Sequence, residues 1–202
     1  MTDKTDKTDK VATTREKIRG TFDLFLLFGR GIKPFEKEGT FRDAMLSLWF
    51  MVLATPLGFV SAYLYQPQGM EEAPYSAVAI VIAGQTVFGT ILGLAIGYLF
   101  ALVMDRKNRF WLWFQVGNWM TIPNTIIGIP VIAIAATGHY PRADMDNIMT
   151  LLTYYNVVVG GCITFRALKI GWEMAGFFAC MSVFVGQQVW NIMFWLNGYS
   201  AP

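Results

Sequence analysis

The chain has 202 residues, of which 54% are hydrophobic and only 15% are charged. This composition is typical of one membrane domain with a short soluble arm, and not of a soluble globular domain. Ten of the sixteen Lys and Arg residues precede Ala44, together with eight of the fourteen acids. The arm is therefore mixed in charge, which excludes a basic patch for nucleic acid.

The first forty residues form the predicted arm. Residues 1–14 include three copies of Thr-Asp-Lys, which cannot bury a core and predict a disordered charged tail. Residues 15–40 predict a cytoplasmic arm, and its segment 15–28 has apolar side chains at helical spacing but is too short to span a membrane. This pattern indicates an amphipathic helix on anionic lipid, or alternatively a docking helix for a protein partner. The predicted lipid-surface residues are Arg15, Lys17, Arg19, Phe22 and Phe25.

The segment 41–197 contains five apolar stretches that suit the ~30 Å hydrocarbon core of a bilayer. The predicted spans cover about 44–65, 77–104, 110–136, 147–165 and 172–196. We therefore predict an all-α fold, an integral membrane bundle of five transmembrane helices with an N-terminal amphipathic interfacial helix.

The second span has no charged residue and contains a ladder of small residues. Gly89, Gly93, Gly97 and Ala101 follow one another at intervals of four, so they share one helix face. In lipid, such a face lets a neighbouring backbone approach closely. The neighbour is either another helix of the same chain or a second copy of the chain.

The third span is interrupted by Pro123 and Pro130, and neutral polar residues surround it. Irregular backbone at membrane depth must be buried in protein or line a cavity. The pattern indicates either hydrogen bonds between helices or a polar cavity. The candidate cavity residues are Gln85, Asn118, Asn124, Asn156, Gln187 and Asn191.

Connections that contain several Lys and Arg residues alternate along the chain with connections that contain one or none. The arm has ten, the second loop three and the fourth loop two, whereas the third loop has one and the first loop and the tail have none. By the positive-inside rule, this distribution predicts a cytoplasmic N-terminus and a C-terminus on the outside.

Residues for catalysis are not evident. The predicted spans contain no Asp, Glu, Lys, Arg or His in their hydrocarbon region, and His139 is the only histidine. Ionisable groups at that depth are the usual mark of pumps, proton-coupled transporters and intramembrane proteases. There is also no phosphate-binding loop, zinc motif or nucleophile elbow. We therefore predict no catalytic, cofactor-binding or metal-binding residue.

Two short motifs carry a family resemblance. Val116–Trp119 (VGNW) lies in the third span, and Phe165–Trp172 (FRALKIGW) joins the fourth span to the fifth. With the charged arm and five spans, they resemble the Yip-domain membrane proteins, and most closely small relatives from alphaproteobacteria. The resemblance implies a bacterial inner-membrane protein and supplies no catalytic residue. Eukaryotic members are linked to Rab GTPases and vesicle traffic.

These observations predict a non-enzymatic polytopic membrane protein that acts through helix packing and partner binding, as an accessory subunit of a membrane complex. The expected partners are membrane lipids and either another protein or a second copy, with no nucleic acid. The alternative is a small carrier or channel for a neutral or lipid-like substrate, built around the interrupted third span.

Overall fold

The computed structural model describes residues 12–36, 39–64 and 72–199, and in these ranges it is all-α without a strand. The described helices are α1 (Thr14–Phe25), α2 (Phe41–Leu64), α3 (Tyr75–Val103), α4 (Phe110–Trp119), α5 (Thr121–Ala136), α6 (Arg142–Leu168) and α7 (Trp172–Leu196). Short 3₁₀ turns occur at Gly29–Ile32 and Lys107–Arg109. Most of the predicted tail and of the first loop lies outside the described residues.

In the described part of the chain, five helical segments are long and apolar enough to cross a membrane: α2, α3, α4 with α5, α6, and α7. The predicted all-α bundle of five spans is therefore confirmed. The fourth span is longer than the predicted 147–165, because α6 begins at Arg142 and ends at Leu168. Its polar first turn continues the helix beyond the apolar stretch, which hydropathy alone does not register.

The third span divides into two helices at Met120, between Trp119 and Thr121. Pro123 explains this break, because proline has no N–H and its ring clashes with the carbonyl of the residue four positions earlier, which is Trp119. The helical ladder resumes where the backbone N–H of Asn124 donates to the carbonyl of Met120 at 3.3 Å.

The helices pack unevenly. The α6 and α7 helices form the closest pair, α2 packs on both α4 and α5, and α3 packs mainly on α7. The α5 and α6 helices scarcely contact each other, although they are consecutive in the chain. The result is an opening between α5 and α6, and α1 contacts both of these helices.

The arm joins the bundle through a buried cluster that also contains residues of α4 and α6. Helix α1 begins with a capping box, in which the Thr13 hydroxyl accepts from the Glu16 N–H and the Glu16 carboxylate accepts from the Thr13 N–H. At its other end, the Phe25 ring packs edge-on against Tyr155 at 5.1 Å between ring centres. The Tyr155 hydroxyl donates to the Phe25 carbonyl.

The prediction that Phe25 faces lipid is wrong, because its side chain is buried in this cluster. An amphipathic pattern identifies an apolar stripe, but it does not say whether lipid or protein covers that stripe. The exposed apolar residues of the arm are instead concentrated in the turn Leu26–Phe28, together with Ile18.

An ion pair closes the arm on itself. The Arg30 guanidinium donates to both carboxylate oxygens of Asp23, at 2.9 Å from Nε and 3.1 Å from Nη2. This hydrogen bonding holds the pKa of the Asp23 carboxyl below its ordinary value. The pair fixes α1 against the 3₁₀ turn that follows it.

The basic connections meet at one end of the bundle, here named the arm end. The Arg106 guanidinium donates to the carbonyl of Lys169 at 3.4 Å, and that of Arg109 donates to the carbonyl of Ala167. Arg109 also lies 3.6 Å from the Glu36 carboxylate of the arm. The arm, the α3–α4 turn and the α6–α7 turn are thus held together by charged side chains and carbonyls.

Candidate functional site

The glycine ladder of α3 packs only near the arm end. Gly97 is buried, and a Cβ atom there would lie 2.6 Å from Cζ3 and 2.8 Å from Cη2 of Trp113. Ala101 is fully buried in a cluster with Phe110 and Leu168. These two residues therefore make the close helix contacts that the spacing predicts.

Gly89 and Gly93 behave differently, because a Cβ atom at either position would meet nothing within 4 Å. For these two residues, the expectation of close packing within the chain is wrong. Contact with a second copy, which the sequence left as the other alternative, stays a prediction. The four residues share a helix face, yet only half of that face touches the rest of the chain.

The geometry of α3 explains the difference. Toward the end remote from the arm, Val78 and Val81 pack in a cluster with Met193 of α7. Near the arm end, the ring of Phe100 stacks on Phe178 of α7 at 4.2 Å. Between these two contacts lies a gap of about 320 Å³, named the α3 gap. Its lining includes Gly89, Gly93, Gly117, Asn118, Ser182 and Gly186.

A second opening, named the α5–α6 cleft, lies between α5 and α6. It opens into two cavities that share Asn124, Thr153 and Asn156 in their lining. The smaller, of about 220 Å³, is lined mainly by α5 and α6, and the larger, of about 460 Å³, extends between α4, α6 and α7. Phe25 and Tyr155 line the smaller cavity, so the arm forms part of its wall. Asn124 is near the middle of the 30-residue third span, and Asn156 is near the middle of the 27-residue α6.

Hydrogen bonding differs among the polar groups of this cleft. The Thr153 hydroxyl donates to the carbonyl of Met149 at 2.9 Å, and the Tyr155 hydroxyl is held by the arm. The side-chain amides of Asn124 and Asn156 are exposed and have no hydrogen-bond partner within the part of the chain that the structure describes. Within the described ranges, no acidic or basic side chain lines either cavity.

The other predicted cavity residues are elsewhere. Asn118 is buried, and its Nδ2 donates to the Ser47 hydroxyl of α2 at 2.8 Å, so it joins two helices. Gln187 donates to Asn191 on the same face of α7 at 3.2 Å. Gln85 is half-buried on α3 and lines neither the α3 gap nor the α5–α6 cleft.

The six predicted polar residues thus do not form one cavity. Only Asn124 and Asn156 come together, whereas Asn118 lines the α3 gap and stabilises a helix contact. The rotation of each helix about its own axis decides which of these side chains face the same cavity. The sequence of a single helix does not specify that rotation relative to its neighbours.

Trp113 is a residue whose role the sequence did not indicate. Its aromatic neighbours predict an interfacial position, but its indole Nε1 donates to the Thr164 hydroxyl of α6 at 3.1 Å. The same ring lies over Gly97 of α3. Trp113 therefore links α3, α4 and α6, and only the tertiary structure reveals that position.

The predicted lipid-surface residues also differ in their exposure. Arg15 and Arg19 are exposed, and Phe22 is half-buried. The Lys17 ammonium lies 5.9 Å from the centre of the Trp119 ring, within the range of a cation–π contact. The basic side chains thus remain at the surface of the arm, while its apolar face is turned into the bundle.

In comparisons with known proteins, no family model, curated protein or solved structure matches the chain. Among residues 12–36, 39–64 and 72–199, no group of three His, Cys, Asp or Glu side chains is placed to hold a metal ion. The described residues include five helices of the length and apolarity that a bilayer requires, which is compatible with a polytopic membrane protein.

Proposed function

We propose that the protein is a non-enzymatic polytopic membrane protein that acts through helix packing and partner binding, as an accessory subunit of a membrane complex. The partner is a transmembrane helix of another protein or of a second copy. The observation that carries this proposal is the open half of the glycine ladder, where a Cβ atom at Gly89 or Gly93 would meet nothing within 4 Å.

The physics of lipid favours this use of the open half. Lipid tails are as apolar as leucine, so helices associate through close contacts at small residues and not through water exclusion. Helix α3 is also among the least covered spans, with only 11% of its apolar window buried. A partner side chain inserted at Gly89 and Gly93 would gain the dispersion contacts that the α3 gap lacks.

Co-purification of wild-type and variant protein tests the partner interaction. Tagged wild-type protein should co-purify with a stoichiometric partner, or with a second copy, from native membranes in a mild detergent. The double variant Gly89→Leu/Gly93→Leu should lose that partner and keep its fold, since a Cβ atom at either position meets nothing within 4 Å and both residues line the α3 gap. The matched control is Ala95→Leu, at an exposed site of α3 outside the α3 gap. A wild-type protein that purifies as a lone monomer would contradict the proposal.

Lipid is the other proposed partner, and the exposed turn Leu26–Phe28 is the best candidate surface. The basic residues Arg15 and Arg19 lie on the same arm and suit anionic headgroups. A fluorophore at position 28 should be quenched by brominated lipid more strongly than one at position 19. Equal quenching would remove the turn from the lipid contact.

The proposed location is a bacterial inner membrane, with the N-terminus in the cytoplasm and the C-terminus outside. The clustering of Arg106, Arg109 and Lys169 with the arm at one end supports this orientation. A reporter fused after residue 202 that is active only outside the cytoplasm should be active. The similarity to the Yip-domain proteins stays a prediction.

A carrier or channel for a neutral or lipid-like substrate is the second candidate, and the α5–α6 cleft favours it. The span break at Met120 lies beside a cavity lined by polar and apolar residues, an arrangement that membrane transporters use. Purified protein in proteoliposomes should then move a neutral solute without any partner. Absence of transport in the presence of a verified ligand would favour the accessory-subunit role.

A further inference from the structure

Two side-chain amides near the middle of the membrane domain require a hydrogen-bond partner that the described chain does not supply. Asn124 and Asn156 both line the two cavities of the α5–α6 cleft, and neither amide is bonded to a protein group there. At this depth, bulk water does not reach lipid-facing groups, and an unpaired polar group is costly. A molecule with hydrogen-bonding capacity in the cleft would satisfy both amides.

The lining of the cleft restricts the chemistry of that occupant. Among the described residues, no acidic or basic side chain lines either cavity, so a charged group would have no counter-charge from them in a medium of low dielectric constant. A pure hydrocarbon chain would leave both amides unpaired. The two Asn side chains together offer carbonyl acceptors and N–H donors, which suit a hydroxyl, carbonyl or amide group.

The remaining walls are apolar. The smaller cavity is bordered mainly by aliphatic side chains of α5 and α6, including Ile127, Val131, Ile132, Met145 and Leu152. These residues lie on the segments of α5 and α6 that continue away from the arm end. They provide a surface for an apolar body that extends from the amides along the two helices.

We propose that the α5–α6 cleft binds an uncharged amphipathic molecule, such as a long-chain alcohol. Its polar group bonds to Asn124 and Asn156, and its apolar body lies between α5 and α6. Because these two helices scarcely contact each other, the molecule enters sideways from the bilayer. Binding depends on neither proposed function; only the use of the bound molecule rests on the carrier alternative.

Matched photoreactive probes test this site. The protein is purified into lipid nanodiscs and exposed to a long-chain alcohol, an alkane and a fatty acid of the same chain length, each with a diazirine and an alkyne. The alcohol should label the protein several-fold more than the alkane or the ionised acid, with adducts mapped to α5 and α6. Equal labelling by the alcohol and the alkane would overturn the proposal, since bilayer chains or water would then fill the cleft.

Variants of the two asparagines test whether their amides cause the preferential labelling by the alcohol. Labelling by the alcohol should fall roughly threefold for each amide removed in Asn124→Leu and Asn156→Leu, because hydrogen bonds within membranes average about 0.6 kcal/mol. The control Gln187→Leu removes an exposed amide outside the cleft and should not change labelling. Unchanged labelling of the double variant would refute the assignment. If that variant fails to fold, the wild-type comparison of the three probes decides the matter.

Specific labelling without uptake into proteoliposomes would support the site and contradict the carrier function. Uptake without specific labelling would support the carrier function and contradict the binding site. The two failures are therefore distinguishable.

Discussion

Gly97→Ala is a direct probe of how α3 is held in the bundle. The added Cβ atom would lie 2.6 Å from Cζ3 of Trp113 and 3.4 Å from Cε2 of Phe110. The first distance is shorter than real carbon contacts permit, so the indole must move. The same substitution at Gly93 adds a methyl group to open space.

Trp113 has little freedom to move. Its indole Nε1 donates to the Thr164 hydroxyl at 3.1 Å, and its ring packs edge-on against Phe178 at 5.6 Å. A shift of the ring would weaken both interactions. Alanine relieves the poor helix propensity of glycine at both sites, by about 1 kcal/mol, so that gain cancels between the two variants. The difference between them is the overpacking cost, typically about 1–3 kcal/mol.

The comparison is made by unfolding each variant in mixed micelles with increasing SDS, followed by circular dichroism. Gly97→Ala should be less stable than Gly93→Ala by about 1–3 kcal/mol. Free energies of unfolding that agree to well within about 1 kcal/mol would contradict this prediction, because overpacking is expected to cost at least that much. The ladder would then contribute equally along its length.

Three further predictions concern other contacts. Asn118→Ala should cost about 1–3 kcal/mol in the same unfolding assay, because it leaves the buried hydroxyl on α2 without its donor; an unchanged midpoint would contradict the contact. Tyr155→Phe should release the arm from its bond at the Phe25 carbonyl, and faster cleavage of the arm by trypsin would reveal this. In a carboxyl NMR titration, Asp23 should titrate below its ordinary pKa, so its pairing persists at neutral pH and is lost as the pH falls through that lowered value. The variant Arg30→Ala should return that pKa toward the ordinary range, and no return would refute the pairing.

The five spans were predictable because each transmembrane helix satisfies its own backbone hydrogen bonds, so length and apolarity alone define it. The break in the third span was also foreseeable, since Pro123 prevents one bond of the ladder wherever its neighbours lie. Both features depend on residues close in sequence.

The predictions that were wrong concern features that depend on which helix packs against the residue. The spacing of Gly89 and Gly97 is equivalent along α3, but only Gly97 faces Trp113 in the tertiary structure. Likewise, the apolar stripe that includes Phe25 suits a lipid surface or a protein groove equally well, and a residue distant in sequence, Tyr155, decides between them. A pattern on one helix does not encode the distance to its neighbours.

Cross-linking within the membrane tests most directly whether the open half of α3 contacts a partner. A photoreactive amino acid is placed at position 93, in the α3 gap, or at position 91, where Ile91 is 61% exposed on the opposite face of the helix. We expect a discrete protein adduct from position 93 and predominantly lipid adducts from position 91. Protein adducts of equal yield from both positions, or none from position 93, would contradict it.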